Sequence, residues 1–197
     1  MSKTQPLFNI PCVIFAGGKS SRMGSDKSLL PFGNYNSLAE YQYQRLSKLF
    51  NKVYISTKQN KFNFQANLII DNNQEEVFAP TSGFDAAFST LQDNHIFVLS
   101  VDTPFVGADE IQKLIDQDAD DLDAVIATTS SGKHPMCGIY HRSLLPAFKA
   151  MIQDNNHRLG KLLQQSHTKY INFDNEDAFV NLNHPQEYQE AFTTSLK

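Results

Sequence analysis

Residues 15–27 read FAGGKSSRMGSDK. It follows the apolar run Ile10–Phe15, which is typical of a buried strand. Its three glycines let the backbone turn and approach a ligand closely, and free amides in such a loop form a concave anion site. The cations Lys19, Arg22 and Lys27 add the positive charge that phosphate groups require. The stretch therefore predicts a polyphosphate-binding site.

Two familiar phosphate motifs do not fit this stretch. A P-loop needs a glycine five positions before Gly18, where this chain has Val13. The dinucleotide fingerprint G-x-G-x-x-G is not supplied by residues 17–22 either. The alternative that the stretch is a glycine-rich connection with solvated charges stays open.

The same stretch strongly resembles the signature L-A-G-G-x-x-x-R-M-G-x-D-K of the molybdenum cofactor guanylyltransferases, with phenylalanine in place of leucine. Weaker similarities continue to the C-terminus. The resemblance implies a Rossmann-like α/β fold of the nucleotidyltransferase superfamily. It implies that Arg22 holds the β- and γ-phosphates of a nucleotide and that Lys27 lies at the α-phosphate or bridges it to the acceptor, both as catalytic residues. It further implies nucleotide contacts from Phe15, Ala16, Gly17, Gly18 and Lys27.

Composition sets limits on the kind of protein. The chain has 197 residues, 41% of them apolar and 19% charged, which suits a single domain over residues 1–197. A net charge of −4 argues against coating nucleic acid, and no apolar run reaches membrane-spanning length. The two cysteines, Cys12 and Cys137, suggest neither a zinc site nor a disulfide framework. We expect a cytoplasmic protein that binds neither nucleic acid nor membrane.

Strand-like and helix-like segments alternate along the chain. Strands are predicted at residues 10–16, 52–57, 67–70, 95–101, 123–128, 136–140 and 170–173. Helices are predicted at residues 37–50, 82–92, 109–118, 143–152, 158–165 and 186–192. The segments 58–66 and 72–82 are predicted to be mobile loops. This alternation favours a mostly parallel, doubly wound sheet with helices on both faces.

Asp102 is the next candidate for chemistry, because it follows the apolar strand that ends at Val101. In open α/β sheets, ligands bind beyond the carboxyl ends of the strands. A carboxylate placed there, near a polyphosphate, suits Mg²⁺. The alternative is that Asp102 caps the turn before the next helix. The resembling family has a D-x-P metal-binding motif here, which reads Asp102-Thr103-Pro104 and implies a catalytic, metal-binding and nucleotide-binding role for Asp102.

The resemblance also points to Asp71, which follows a short predicted strand and would support the guanine nucleotide; an Asx turn is the alternative. The next loop departs from the family pattern G-P-L-x-G-I, since residues 79–84 read APTSGF. The family's asparagine after the second strand is also missing, with Ser56 or Thr57 nearest. Contacts from these segments are therefore left open.

The C-terminal part supplies candidates for a second substrate. Residues 181–185, NLNHP, resemble the family's N-x-N-T-P element. In an extended segment Asn181 and Asn183 face the same side, and amides can serve both a pterin and a phosphate. Asn183 alternatively caps the following helix. His134 lies in a segment similar to the family's H-P-x-x-x-x-Y and either contacts this substrate or is a turn residue. Arg158 and Lys161 are predicted on a solvated helix face, with contact to a substrate phosphate as the alternative.

The resemblance implies transfer of GMP from GTP to the terminal phosphate of molybdopterin (molybdenum cofactor), with Mg²⁺ and release of pyrophosphate. A phosphate monoester is already largely ionised near neutral pH, since its second pKa is about 6, so no strong general base is required. Alternatives are a related cytidylyltransferase, a transferase for another phosphate acceptor, or an inactive GTP-binding module. Related cytidylyltransferases usually read A-A-G where this chain has Ala16-Gly17-Gly18, which favours guanine. Further partners of such an enzyme would be molybdoenzymes, their chaperones or upstream cofactor-synthesis proteins.

Overall fold

A seven-stranded sheet forms the centre of the computed structural model, which describes residues 7–17, 26–71 and 79–195. The strands are β1 Cys12–Phe15, β2 Val53–Thr57, β3 Leu68–Ile70, β4 His95–Ser100, β5 Ala124–Thr129, β6 Gly132–His141 and β7 Thr168–Asn172. Their order across the sheet is β3-β2-β1-β4-β6-β5-β7. Each described pair is parallel except the two that β6 makes with β4 and β5. The predicted mostly parallel sheet is confirmed.

Helices cover both faces of this sheet. They are α1 Leu38–Leu46, α2 Pro80–Thr90, α3 Ala108–Ile115, α4 Leu145–Gln153, α5 Leu159–Gln165 and α6 Pro185–Ser195. One buried cluster joins α1, α3 and α6 to Cys12 and Ile14 of β1, and the other joins α2, α4 and α5 to Val13 and Phe15. Alternate residues of a strand face opposite sides, so the apolar run of β1 fills two cores and the doubly wound prediction is confirmed.

The hairpin from β5 to β6 departs from the predicted elements. Thr129 pairs with Gly132 across a two-residue turn, and so short a turn forces the two strands to be antiparallel. Strand β6 is ten residues long, whereas the sequence predicted only 136–140. The pairing register with β5 shifts between Gly138 and His134, which accommodates Pro135 at an irregularity rather than in a regular ladder.

Helix ends also differ from the predictions. Helix α1 begins after Ser37, whose side chain accepts a hydrogen bond from the Glu40 amide at 3.1 Å, but it ends at Leu46 rather than residue 50. Helix α2 starts at Pro80, because proline is well suited to a first helical position. The loop predicted over 72–82 is therefore wrong for residues 80–82, and residues 72–78 lie outside the described part of the chain.

The topology fixes where a ligand would bind. Strand β1 lies between β2 and β4, so the chain passes to one side of β1 and then to the other. The carboxyl ends of β1 and β4 are adjacent, with Phe15 paired to Ser100. Crevices at such a switch point bind ligands in open α/β sheets. Among the residues described, no helix is long and apolar enough to cross a membrane.

Candidate active site

A lysine joins two distant segments at the carboxyl ends of β1 and β4. The Lys27 ammonium donates to Asp102 Oδ2 at 3.0 Å and to Asn183 Oδ1 at 2.8 Å. The Lys27 and Asp102 side chains are 14% and 19% exposed. Three residues predicted from separate motifs are therefore in direct contact, in a partly desolvated position where charge interactions are stronger than in bulk water.

The Asp102 carboxylate is directed into the site rather than at a helix. Its Oδ1 accepts a 2.5 Å hydrogen bond from the Ser100 hydroxyl, while Oδ2 binds Lys27. Helix α3 has Gly107 at its N-cap position, and Glu110 reaches back to the Gly107 amide at 2.9 Å. The alternative role of Asp102 as a cap before the next helix is therefore not what the fold uses.

Two polar residues of α1, the buried Gln42 and the partly exposed Arg45, hold the loop that carries Asp102. The Gln42 side chain, fully buried, donates to the carbonyls of Val101 and Thr103 at 3.3 and 3.0 Å. Arg45 donates to the Val106 carbonyl at 2.5 Å and to Gln42 Oε1 at 2.6 Å. Neither residue was predicted from the sequence. The signal was a polar residue at helical spacing from Leu38, on the stripe that faces the core.

The C-terminal segment is attached to the same loop. The Leu182 amide donates to the Asp102 carbonyl at 2.9 Å, and the Thr103 hydroxyl donates to Asn181 Oδ1 at 2.8 Å. Glu187 accepts from the Asn183 amide at 2.7 Å, so a carboxylate from within α6 satisfies this end of the helix. The Asn183 side chain is consequently available to Lys27 and does not serve as the helix cap.

A cavity of about 300 Å³, here named the β4–β6 cavity, opens beside Asp102. It is lined by Ser100, Asp102, Thr103, Lys133, His134, Pro135, Met136, Cys137, Asn181 and Asn183. The His134 ring packs against Phe179 with centroids 5.0 Å apart, and its Nε2 lies 3.0 Å from the Thr129 hydroxyl. Burial lowers the pKa of His134, only partly offset by Glu176, so the imidazole is neutral near pH 7.

A second concavity, here named the β1–β3 pocket, lies at the ends of β1, β2 and β3. It is lined by Phe15, Gly17, Ser56, Thr57, Lys58, Asp71, Ala79, Pro80 and Gly83. A Cβ on Gly83 would lie 2.6 Å from Phe15 Cε1 and 2.9 Å from Ser56 Oγ, so α2 can approach β1 and β2 only with glycine here. Gly83, which the divergent segment 79–84 shares with the family pattern, is therefore required by packing.

Comparison with known proteins identifies the family. A family model described as the MobA-like NTP transferase domain matches residues 12–170. The chain belongs to this family. The family resemblance derived from residues 15–27 is confirmed, and the protein is a nucleotidyltransferase.

The similarity of this MobA-like transferase to its relatives covers nearly the whole chain. It is 42% identical to a molybdenum cofactor guanylyltransferase of Campylobacter jejuni subsp. doylei, covering 97% of this chain and 99% of the relative. It is 38% identical to a molybdenum cofactor guanylyltransferase of Helicobacter pylori strain G27, covering 93% and 92%. The solved structure of molybdopterin-guanine dinucleotide biosynthesis protein A from Archaeoglobus fulgidus superposes with a TM-score of 0.79 at 18% identity, over 94% of this chain and 98% of that one. At that identity the structure establishes the shared fold.

In this MobA-like chain, a lysine from the predicted mobile loop closes the base of the glycine-rich stretch. Lys61 Nζ donates to the Ala16 carbonyl at 2.9 Å and to Asp26 Oδ2 at 2.5 Å, which ties together the residues that flank positions 18–25. Burial raises the pKa of Asp26, but hydrogen bonds from Lys61 and Ser28 and the charge of Lys61 outweigh burial and lower it below 3.8. No local pattern predicted a role for Lys61, which is a single lysine in an irregular segment.

The remaining predicted residues divide into three groups. Asp71 lies in the β1–β3 pocket with Phe15 and Gly17, and its amide donates to the Thr57 carbonyl at 2.9 Å. Gly18 and Arg22 lie outside the described residues. Arg158 and Lys161 are exposed, as expected for a solvated helix face.

The donor set around Lys27 fits a hard cation. The Asp102 carboxylate and the Asn183 amide oxygen converge on one ammonium nitrogen, so the fold already presents two oxygens to a positive charge. Mg²⁺ is bound through one or two carboxylates together with phosphate oxygens and water. Asp102 could therefore hold Mg²⁺ next to a bound triphosphate, and Lys27 would then be released toward the phosphates.

Proposed function

We propose that this nucleotidyltransferase transfers GMP from GTP to the terminal phosphate of molybdopterin (molybdenum cofactor). The products are molybdopterin guanine dinucleotide and pyrophosphate. The names of the Campylobacter and Helicobacter relatives, at 42% and 38% identity, support these substrates.

One observation in the structure carries the proposal: Lys27, Asp102 and Asn183 meet at a single nitrogen. Lys27 ends the glycine-rich stretch, Asp102 follows β4, and Asn183 precedes α6. Asp102 and Asn183 are 75 and 156 residues from Lys27 in sequence. Transfer of a nucleotidyl group needs mainly alignment and stabilisation of charge on the transferring and leaving phosphates. A lysine beside a carboxylate that lines the β4–β6 cavity, and that would hold Mg²⁺, meets that need.

The reaction we propose needs no protein nucleophile. An oxygen of the acceptor phosphate attacks the α-phosphorus of GTP, and the bond from that phosphorus to the bridging oxygen of the β-phosphate breaks. The electron pair leaves with pyrophosphate. The acceptor oxygen carries no proton that must be removed first, since the second pKa of a phosphate monoester is about 6.

Each described residue then has a specific task. Mg²⁺, when bound, would neutralise charge on the triphosphate, and Asp102 would hold it. Lys27 would turn from Asp102 to the α-phosphate, where it stabilises the negative charge that develops during transfer. Arg22, outside the described residues, would hold the β- and γ-phosphates.

The two concavities would hold the two substrates. Guanine would occupy the β1–β3 pocket, near Asp71 and near Gly17, where an added Cβ would meet no atom of the described residues within 4 Å. Molybdopterin would occupy the β4–β6 cavity, where Asn181, Asn183 and the neutral His134 offer donors and acceptors.

The test is a nucleotide panel with purified protein, Mg²⁺ and molybdopterin, scored by pyrophosphate release. We expect release with GTP alone among the nucleotides. Release with CTP instead would overturn the assignment of the base but keep the mechanism. Binding of GTP without pyrophosphate release under any condition would show that the protein is a GTP-binding module and not an enzyme.

A further inference from the structure

A second cluster of reactive side chains lies at the other end of strands β4 and β6, away from Asp102. His95 opens β4 and His141 closes β6, and the antiparallel register places them opposite each other. The Asp118 carboxylate, in the turn after α3, lies between them. His95 Nδ1 is 2.7 Å from Asp118 Oδ2, and His141 Nε2 is 2.7 Å from Asp118 Oδ1.

The three side chains have the composition of a transition-metal site. Within the described part of the chain, this is the group of His, Cys, Asp and Glu side chains whose ligand atoms come together, all within 4.8 Å of one another. Two imidazoles and a carboxylate are a ligand set of zinc, which also accepts water in a fourth position. Magnesium prefers oxygen ligands, so this cluster and the Asp102 site select different ions.

Burial and charge favour a bound cation at this position. The Asp118 and His141 side chains are 9% and 10% exposed, so packing fixes them, whereas His95 is 40% exposed and leaves a path from solvent. The carboxylates of Asp93 and Asp120 also lie near His95 and add negative charge. The three candidate ligands come from separate elements, so a bound ion would cross-link β4, β6 and the turn after α3.

We propose that His95, Asp118 and His141 form a Zn²⁺ site with water as the fourth ligand. It is separate from the catalytic centre, because His95 and Ser100 are at opposite ends of β4, about 17 Å apart at the usual rise per residue of a strand. Its effect is to stabilise the fold, since an ion that binds the folded chain alone shifts the folding equilibrium toward it.

The first experiment is a Zn²⁺ titration of the full-length, untagged protein, treated beforehand with a chelator, against a chromophoric zinc indicator. We expect one Zn²⁺ per chain. At a free concentration of about 100 Kd, we expect Tm to rise by about 5–10 °C. No binding, or binding that leaves Tm unchanged, would overturn the proposal.

Matched variants locate the ion. His95→Gln and His141→Gln should each weaken Zn²⁺ binding by more than about 100-fold, beyond the usual effect of losing an outer partner of a metal ligand. The control is His167→Gln, which removes a 63% exposed imidazole that lies 3.9 Å from Asp121, and it should bind Zn²⁺ as the parent does. Because His95 is partly exposed, His95→Gln should remain folded without metal even if the more buried His141→Gln does not.

A third variant separates this site from the catalytic centre. Asp102→Asn should bind Zn²⁺ with unchanged affinity and stoichiometry. Co²⁺ used in place of Zn²⁺ should give tetrahedral d–d bands without thiolate charge transfer, since Cys12 and Cys137 are buried. Loss of binding in Asp102→Asn with retention in both histidine variants, or a thiolate band, would show that the ion binds elsewhere.

Discussion

The β1–β3 pocket and the β4–β6 cavity both lie at the carboxyl ends of strands β1 to β4 but are built by different means. Close packing shapes the pocket, where Gly83 permits contact between α2 and Phe15. Hydrogen bonds shape the cavity, where Thr103 holds Asn181 and Asn183 holds Lys27. The pocket should therefore be sensitive to added volume, and the cavity to the loss of a polar group. Asp102, which lines the cavity and binds Lys27, should be sensitive in a third way, through charge.

The largest effect is expected at the ion pair of Lys27 and Asp102. Asp102→Ala removes the carboxylate that binds Lys27 and that we propose as the Mg²⁺ ligand, so turnover should fall by roughly 10²–10³-fold, as for loss of one electrostatic stabiliser. Pyrophosphate release at saturating GTP and acceptor measures this. Full activity in the variant would remove Asp102 from the mechanism.

The next effect tests the packing of the β1–β3 pocket. Gly83→Ala places a methyl group 2.6 Å from Phe15 Cε1, so α2 or Phe15 must move, at a cost of about 1–3 kcal/mol in unfolding free energy. The KM for GTP should rise, while the KM for the acceptor changes little. Urea unfolding and initial rates measure the two quantities.

Helix α5 supplies the matched control for that substitution. Gly160→Ala places its methyl group in open space within a helix, so it should leave both KM values unchanged and stabilise the protein slightly, by about 0.5–1 kcal/mol. Equal losses from Gly83→Ala and Gly160→Ala would contradict the packing argument.

A smaller and selective effect is expected in the β4–β6 cavity. Asn181→Ala removes an amide and leaves the Thr103 hydroxyl without this acceptor, which should raise the KM for molybdopterin by about tenfold, equivalent to one hydrogen bond of about 1.4 kcal/mol. The KM for GTP should be nearly unchanged. The opposite pattern would assign Asn181 to the nucleotide.

The smallest effect concerns the ion pair that closes the base of the glycine-rich stretch. The pKa of Asp26 is lower in the folded protein than its usual 3.8, so its contribution to stability is present above that value and is lost as pH falls through the folded pKa. Asp26→Asn should lower the unfolding free energy by a few tenths to about 1 kcal/mol at pH 7, since Asp26 is partly solvated. The difference from the parent should shrink below about pH 4.

The control for this titration is the pair of Lys52 and Asp93, whose charged atoms are 3.7 Å apart and whose lysine is 54% exposed. Asp93→Asn should change stability less than Asp26→Asn at pH 7, because this contact is longer than the 2.5 Å contact of Lys61 with Asp26 and Lys61 is only 16% exposed. A pH-independent difference between the parent and Asp26→Asn would mean that packing, and not charge, accounts for the effect.

Local patterns predicted most of the elements and several site residues. The apolar run of β1 identified a strand buried on both faces, and Asp102 was found because it directly follows such a run. Strand β6 was predicted at half its length, because its first residues are polar, include Pro135, and become a strand only by pairing with β5. Tertiary pairing thus overrode local propensity.

Positioning residues were harder to predict than the residues they position. Gln42 and Arg45 lie on a helix whose core-facing stripe was recognised, yet their hydrogen bonds are to carbonyls about 60 residues away. Lys61 lies in a segment predicted to be a mobile loop, and it contacts residues 45 and 35 positions away. Such partners are brought together by the tertiary fold, and a local sequence pattern cannot predict them.

The sequence by itself determined the chemistry of this protein: a glycine-rich cationic stretch after a strand, a carboxylate at the end of another, and a family signature that links them to nucleotidyl transfer. The tertiary structure was needed to show that Lys27 binds Asp102 and Asn183. It was also needed to show that His95, Asp118 and His141 lie together at the other end of β4 and β6. Residue types and short spacings determine what a group can do. Contacts between groups tens of residues apart depend on the order and direction of the strands that carry them.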